Sequence, residues 1–159
     1  MTARLDPAHL SAPLFKSFLA FSQSLDTGSS ERALRDLINV RVSQINGCAF
    51  CLDMHVKEAT IGGERPLRLH HVAIWRESGL FAARERAALE WAEALTTLGA
   101  HGVPDAVYDA VRAEFSEREI SDLSFAVMAI NGWNRLSIAF RAEPGSADAA
   151  YGLGKAGLR

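Results

Sequence analysis

The stretch CAFCLDMH, residues 48–55, contains both cysteines of the 159-residue chain and one of its five histidines. On an α-helix, residues three, four and seven positions apart lie on one face, so Cys48, Cys51 and His55 converge on one side. The dipeptide Asn46-Gly47 before them is a turn signal that predicts a helix start at or near Cys48. Unpaired backbone N–H groups at a helix start favour a thiolate. The stretch therefore predicts a redox-active dithiol with a proton carrier within reach.

The composition is typical of a soluble globular protein, with 48% apolar and 23% charged residues. The net charge of −2 gives no basic field for nucleic acid and no attraction to a membrane surface. Neither a signal peptide nor a transmembrane helix is predicted, so we expect a cytoplasmic location. A structural disulfide is uncommon there, and closely spaced cysteines then indicate catalysis or metal binding.

The length suits one domain over residues 1–159, with an irregular lead-in over residues 1–13 and a mobile tail over residues 143–159. Between these ends the apolar spacing predicts an all-α fold of about seven helices, and strand alternation is not convincing anywhere. The predicted helices lie near residues 14–25, 31–44, 48–60, 66–78, 83–98, 104–115 and 116–140, the last with a break at Asn131-Gly132 as one option.

Two other interpretations of the cysteine pair stay open at this point. Both thiols can be small buried core residues, because free cysteine packs well in protein interiors. Alternatively, Cys48, Cys51 and His55 can bind zinc together with a carboxylate such as Asp53 or Asp36. Zinc is less favoured because structural sites usually take a second ligand pair from a distant segment, and the chain has no third cysteine.

The sequence also contains an internal echo. Residues 42–48, VSQINGC, resemble residues 127–133, VMAINGW. If the alignment of the two stretches is extended, Leu136 aligns with Cys51 and Phe140 aligns with His55. The second stretch therefore has apolar residues where the first has a thiol and an imidazole. A duplicated helix pair and a chance match of short length are both open at this stage.

The stretch RVSQINGCAFCLDMHVKEA, residues 41–59, resembles the core signature of the alkylhydroperoxidase AhpD-like family, within the carboxymuconolactone decarboxylase superfamily. The similarity continues through WRESGLFAARERAALEWAEALT and AINGWNRL. The resemblance implies an all-helical fold that forms trimers or hexamers. It also implies an active site made of Asp36, Cys48, Cys51 and His55. Asp36 stands where the family usually has Glu, and Phe50 stands where the family peroxidase has a histidine between the cysteines.

The function that the resemblance implies is a thiol-dependent alkylhydroperoxidase, or dithiol–disulfide oxidoreductase, in antioxidant defence. Cys51, taken as the more interior thiol, attacks the peroxide with help from His55 and Asp36. Cys48, taken as nearer the surface, closes the disulfide and receives the reductant. The implied partners are a peroxide or other small substrate and a dithiol protein or small thiol that reduces the disulfide. We expect no bound cofactor and no metal.

Two further functions were weighed against this one. A carboxymuconolactone decarboxylase-like enzyme uses acid–base chemistry and does not require a cysteine pair, so the intact dithiol argues against it. A non-enzymatic redox sensor would use the dithiol once, to switch a partner interaction. Apolar stripes on most of the predicted helices also favour a homo-oligomer, because one chain alone leaves part of them uncovered.

Overall fold

The computed structural model describes residues 2–29 and 31–158, and in this part of the chain the secondary structure is helical. Three short 3-10 segments accompany nine α-helices among the described residues, and no strand forms there beyond an isolated bridge between Gly99 and Gly102. The helices are α1 (Pro7–Leu10), α2 (Ala12–Ser24), α3 (Arg32–Asn46), α4 (Ala49–Ile61), α5 (Pro66–His71), α6 (Ala83–Thr96), α7 (Asp105–Glu114), α8 (Glu117–Phe140) and α9 (Asp148–Tyr151). The all-α prediction is confirmed, and the helix count exceeds the predicted seven by α1 and α9.

The middle of the fold is α3, which packs against α4, α6 and α8. Its buried side chains contribute to two hydrophobic clusters, one shared with α6, α7 and α8 and the other with α5 and the 3-10 segment Val72–Glu77. Both cysteines belong to the first cluster. The dithiol is therefore built into the packed interior, with α3 on one side and α8 on the other.

The long helix α8 runs without a break from Glu117 to Phe140, so the option of an interruption at Asn131-Gly132 is wrong. The predicted Ser116–Glu119 capping box starts it: Ser116 Oγ accepts from Glu119 N, and the Glu119 carboxylate accepts from Ser116 N at 2.8 Å. At Gly132, α2 packs closely against α8. An added Cβ at Gly132 would lie 2.5 Å from Phe18 Cζ.

The lead-in over residues 1–13 is not irregular throughout, because α1 forms at Pro7–Leu10. Asp6 caps it by accepting from the backbone N–H of Ala8 at 2.9 Å, and Pro7 occupies the favoured first position. This Asp-Pro start signal is present in the sequence. The expected helix near residue 14 begins two residues earlier, at Ala12.

The tail over residues 143–159 contains α9 and a 3-10 segment, Leu153–Ala156, in place of the expected mobile chain. Leu153 is only 2% exposed, and the segment packs against α4. The physical reason is an ion pair between the buried Lys57 of α4 and the partly exposed Asp148 of α9. Over residues 2–29 and 31–158, no helix is long and apolar enough to cross a membrane.

Candidate active site

The turn between α3 and α4 places Cys48. Gly47 ends α3 with a left-handed backbone (φ +69°), and its N–H donates to the carbonyl of Gln44 at 3.2 Å. Only glycine adopts this conformation without steric cost. Cys48 follows as the N-cap of α4, and its Sγ accepts a hydrogen bond from the N–H of Cys51 at 3.4 Å. The expected helix start at the first cysteine is therefore confirmed.

The two thiols are coupled, and their pKa values move in opposite directions. The hydrogen bond from the Cys51 thiol, aided by the Cys51 backbone N–H against the effect of burial, lowers the pKa of Cys48 to about 6. The same thiol–thiol bond and burial raise the pKa of Cys51. The pair thus holds one negative charge near neutral pH, and that charge resides mainly on the sulfur at the helix start.

Helix α8 supports the dithiol from the opposite side. The Cys51 sulfur lies within hydrogen-bond distance of Ser137 Oγ, at 3.6 Å. One turn earlier, the fully buried Asn134 donates to Ser43 Oγ at 3.2 Å and accepts from the side chain of Asn46 at 2.9 Å. Because these bonds join α8 to the end of α3, they fix the position of the turn that carries Cys48.

The imidazole of His55 is buried and lies on the same helix as the thiols. Its Nδ1 is 2.7 Å from Oε2 of Glu58, three residues later. A carboxylate at this distance accepts a hydrogen bond from Nδ1–H and orients the ring. Nε2 is then the nitrogen left for proton transfer. The carboxylate that directly contacts His55 is therefore Glu58.

Asp36 projects from α3 and is 9% exposed. Burial raises its pKa to about 6, and the nearby Glu58 charge adds to this, while Arg32 at 4.0 Å and His55 oppose it. A carboxyl group with this pKa carries a proton in part of the molecules near neutral pH, so it can donate as well as accept.

A cavity of about 1100 Å³ connects these groups, because Asp36, Cys51, His55 and Glu58 all line it. Of the two cysteines, the lining residues include Cys51 and not Cys48 in the described chain. Exposure does not separate them, with Cys48 at 2% and Cys51 at 3%. The structure therefore gives no support to the expectation that Cys48 is nearer the surface, and the cavity reaches Cys51.

The rest of the cavity wall is mostly apolar. Its large apolar and aromatic side chains come from α2, α4 and α8: Phe15, Phe50, Met54, Trp133, Leu136 and Phe140. Trp133 stacks against Phe18 with ring centroids 4.4 Å apart and donates its indole N–H to Ser22. Such a wall favours an apolar organic molecule over a strongly hydrated one.

The four residues expected in the site lie close together, with Cys48 as the member behind the cavity wall. Two residues that the sequence did not indicate join them, Glu58 and Ser137. The His-x-x-Glu spacing of His55 and Glu58 on one helix was an available signal, whereas a contact with Ser137 has no local signal.

The zinc interpretation finds no support in the site geometry. Within the described ranges, no group of three histidine, cysteine or acidic side chains is arranged to hold a metal ion. Asp53, a proposed ligand, instead accepts from Lys57 Nζ at 2.9 Å and from Gly145 N at 3.0 Å. Its carboxylate is therefore committed to contacts on α4 and with the tail.

Comparison with known proteins identifies relatives of this arrangement. The sequence profile of the carboxymuconolactone decarboxylase family matches residues 12–94, just over half of the chain. The uncharacterized protein YdfG of Bacillus subtilis is 37% identical over 139 residues, a match that covers 87% of this chain and 95% of that protein.

Two solved structures show the same fold. A protein of unknown function from Agrobacterium tumefaciens, which carries the provisional name antioxidant defence protein AhpD, is 38% identical with a TM-score of 0.87. The match covers 90% of this chain and 98% of that one. The debrominase Bmp8 is 21% identical with a TM-score of 0.79, over 93% of this chain and 79% of its own. The fold is thus shared both with a protein provisionally named for antioxidant defence and with a protein named as a debrominase.

Proposed function

The chain belongs to the carboxymuconolactone decarboxylase family as an AhpD-like member, and from this premise we propose that it is a thiol-dependent peroxidase acting in antioxidant defence. The observation that carries the proposal is the arrangement at the cavity: Cys51 faces the cavity beside His55, and the Cys48 sulfur lies directly behind it. Disulfide-forming peroxide reduction requires one sulfur that meets the peroxide and a second sulfur close enough to bond to it afterwards.

The first step is peroxide reduction at Cys51. The two thiols share one proton, and moving it from Cys51 to Cys48 places the charge on the sulfur that faces the cavity. The Cys51 thiolate attacks the outer peroxide oxygen, the O–O bond breaks, and sulfur becomes a sulfenic acid. The leaving alkoxide takes a proton from Asp36, whose raised pKa makes it an acid near neutral pH.

The second step forms the disulfide. Cys48 loses its proton to His55, which Glu58 holds in place, and its thiolate attacks the sulfenic sulfur. Hydroxide leaves and takes the proton that His55 holds, which gives water and restores the neutral imidazole. An external dithiol then reduces the disulfide by exchange, and it attacks Cys51, because that sulfur faces the cavity. This reverses the order expected from the sequence, in which the reductant meets Cys48.

Counting peroxide consumed per protein molecule tests the proposal. With excess dithiothreitol and an apolar hydroperoxide, a peroxidase consumes many equivalents, a redox sensor about one, and a decarboxylase none. In the Cys48→Ser variant the sulfenic acid forms but the internal disulfide does not, so we expect one rapid equivalent followed by slow turnover. Complete loss of the first equivalent in this variant would contradict Cys51 as the attacking sulfur.

The assembly proposed with this function is a homo-oligomer, a trimer or a hexamer. It rests on the AhpD-like resemblance and on large apolar side chains of α8 that are exposed in the single chain, Phe125, Met128 and Ile138. Light scattering coupled to size-exclusion chromatography measures the mass, and a monomer at micromolar concentration contradicts the proposal. A cytoplasmic location is part of the same proposal.

A further inference from the structure

We propose that Lys57 fixes the C-terminal segment, residues 143–158, as a wall of the active-site cavity and so limits the size of molecules that reach Cys51. The inference rests on the proposed function only where it concerns substrate selection. The wall itself is a property of the fold and can be tested without any turnover.

Lys57 is a buried cation with two carboxylate partners. Its residue is 4% exposed, and Nζ lies 2.9 Å from Asp53 Oδ2 and 2.9 and 3.0 Å from the two carboxylate oxygens of Asp148. A buried ammonium is strongly destabilising unless it is paired. Moving Asp148 away would remove one of the two carboxylates that pair with the Lys57 ammonium, so the charge holds α9 against α4.

Two further contacts continue this attachment along the segment. Asp53 also accepts from the backbone N–H of Gly145 at 3.0 Å, so the residue that pairs with Lys57 holds the start of the segment as well. Leu153, at 2% exposure, packs the end of the segment into the side of α4. The segment is thus attached near its beginning, middle and end to the helix that carries the dithiol.

The attached segment lines the cavity that contains Cys51. Glu143, Ser146 and Tyr151 belong to the same lining as Cys51 and His55. The family profile covers residues 12–94 and does not reach this segment. Cys51 and Lys57 are on one helix, so the catalytic sulfur and the anchor of the wall move as one body. The segment is therefore placed to limit the size of a molecule that shares the cavity with Cys51.

The experiment measures access to Cys51 with two alkylating reagents of different size. In a Cys48→Ser background Cys51 is the one remaining thiol, and its rates with iodoacetamide and with a bulky fluorescein maleimide are compared. We expect Asp148→Ala to increase the maleimide rate several-fold and the iodoacetamide rate much less. Asp109→Ala, the same change at an exposed residue of α7, should alter neither rate.

Lys57→Met and Lys155→Met form a second matched pair, buried and exposed in that order. We expect Lys57→Met to raise the bulky-reagent rate as Asp148→Ala does, and Asp148→Asn, which keeps one acceptor oxygen, to fall between Asp148→Ala and the natural chain. Thermal unfolding identifies any variant that does not fold.

An unchanged ratio of the two alkylation rates in folded Asp148→Ala would overturn the inference. A changed ratio in a protein that consumes no peroxide would support the wall and reject the proposed function. If both hold, Asp148→Ala also raises kcat/KM for cumene hydroperoxide relative to hydrogen peroxide.

Discussion

The tripeptide Ile-Asn-Gly occurs twice, at residues 45–47 and 130–132, with opposite structural results. In the first copy Gly47 takes a left-handed conformation and ends α3, which makes Cys48 the cap of the next helix. In the second copy Gly132 stays inside α8, and its missing side chain lets Phe18 of α2 approach. One glycine is used for its backbone freedom and the other for its small size.

The two copies also meet in space. The side chain of Asn46 donates to Asn131 at 3.0 Å and to Asn134 at 2.9 Å. Through these hydrogen bonds the second copy holds the first copy in place. One helical turn beyond Asn134, α8 also brings Ser137 within hydrogen-bond distance of Cys51. The comparison shows that identical local sequence becomes a chemical site or a packing site according to what surrounds it.

The largest expected effect follows a change at Cys51, in the helix that begins after the first copy of the tripeptide. Cys51→Ser should reduce peroxide turnover by several orders of magnitude, because the hydroxyl does not form a thiolate-like nucleophile at neutral pH. The change replaces sulfur by oxygen in a buried site, so the protein should still fold. Peroxide consumption and thermal unfolding are measured together. Full peroxide turnover in this variant would mean that Cys51 is not the attacking sulfur. The first copy would then have no chemical role that the second copy lacks.

Asp36 gives the next effect, on stability as a function of pH. Its pKa of about 6 in the fold exceeds the ordinary 3.8, so folding favours the protonated form. Its contribution is therefore lost as pH rises from about 4 to about 6 and stays lost above that. Asp36→Asn removes the ionisation. We expect it to be more stable than the natural chain at pH 8 by about 3 kcal/mol, with no difference below about pH 4.

The same substitution should lower turnover, since Asn does not supply the proton for the leaving alkoxide. Ser121 is the matched control, because it lies ten residues before Asn131 as Asp36 lies ten before Asn46, and it is exposed. Ser121→Ala should change neither stability nor turnover. Urea unfolding at several pH values checks both variants. An Asp36→Asn protein with the same pH-dependent stability as the natural chain would contradict the assigned cause.

Structural features that depend on neighbouring residues in the chain could be predicted from the sequence. Features that depend on packing between distant segments could not. Apolar spacing and turn signals predicted the main helices and the helix start at Cys48. The sequence left open whether the last helix continues through Gly132, and the contact of that glycine with Phe18, more than a hundred residues earlier, has no local signal. For the same reason the anchored tail, the contact of Cys51 with Ser137 and the place of Cys48 behind the cavity wall were missed. Glu58 was missed although its spacing from His55 was visible.

Gly132→Ala tests whether the glycine of the second copy is needed for its small size. A methyl group inside a helix normally stabilises by about 1 kcal/mol, but here it would meet Phe18 at 2.5 Å. We expect a net loss of about 1–2 kcal/mol, because Phe18 also packs on Trp133 and α2 must shift with it. In a Phe18→Ala background the same change should be neutral or stabilising. Urea unfolding of all four proteins gives the interaction energy, and equal losses in both backgrounds would contradict the close-approach explanation.

Gly47→Ala tests whether the glycine of the first copy is needed for its backbone conformation, and it has the smallest expected effect on stability. No atom of the described residues lies within 4 Å of the Cβ that alanine would add, so crowding is not the cause of any loss. The cost is that alanine must adopt φ of +69°, which is about 1 kcal/mol. Asn tolerates this region better, so Gly47→Asn should lose less. Phe18→Ala should leave both losses unchanged, because α2 does not act on this turn. A Gly47→Ala protein as stable as the natural chain would contradict the backbone role assigned to the first glycine.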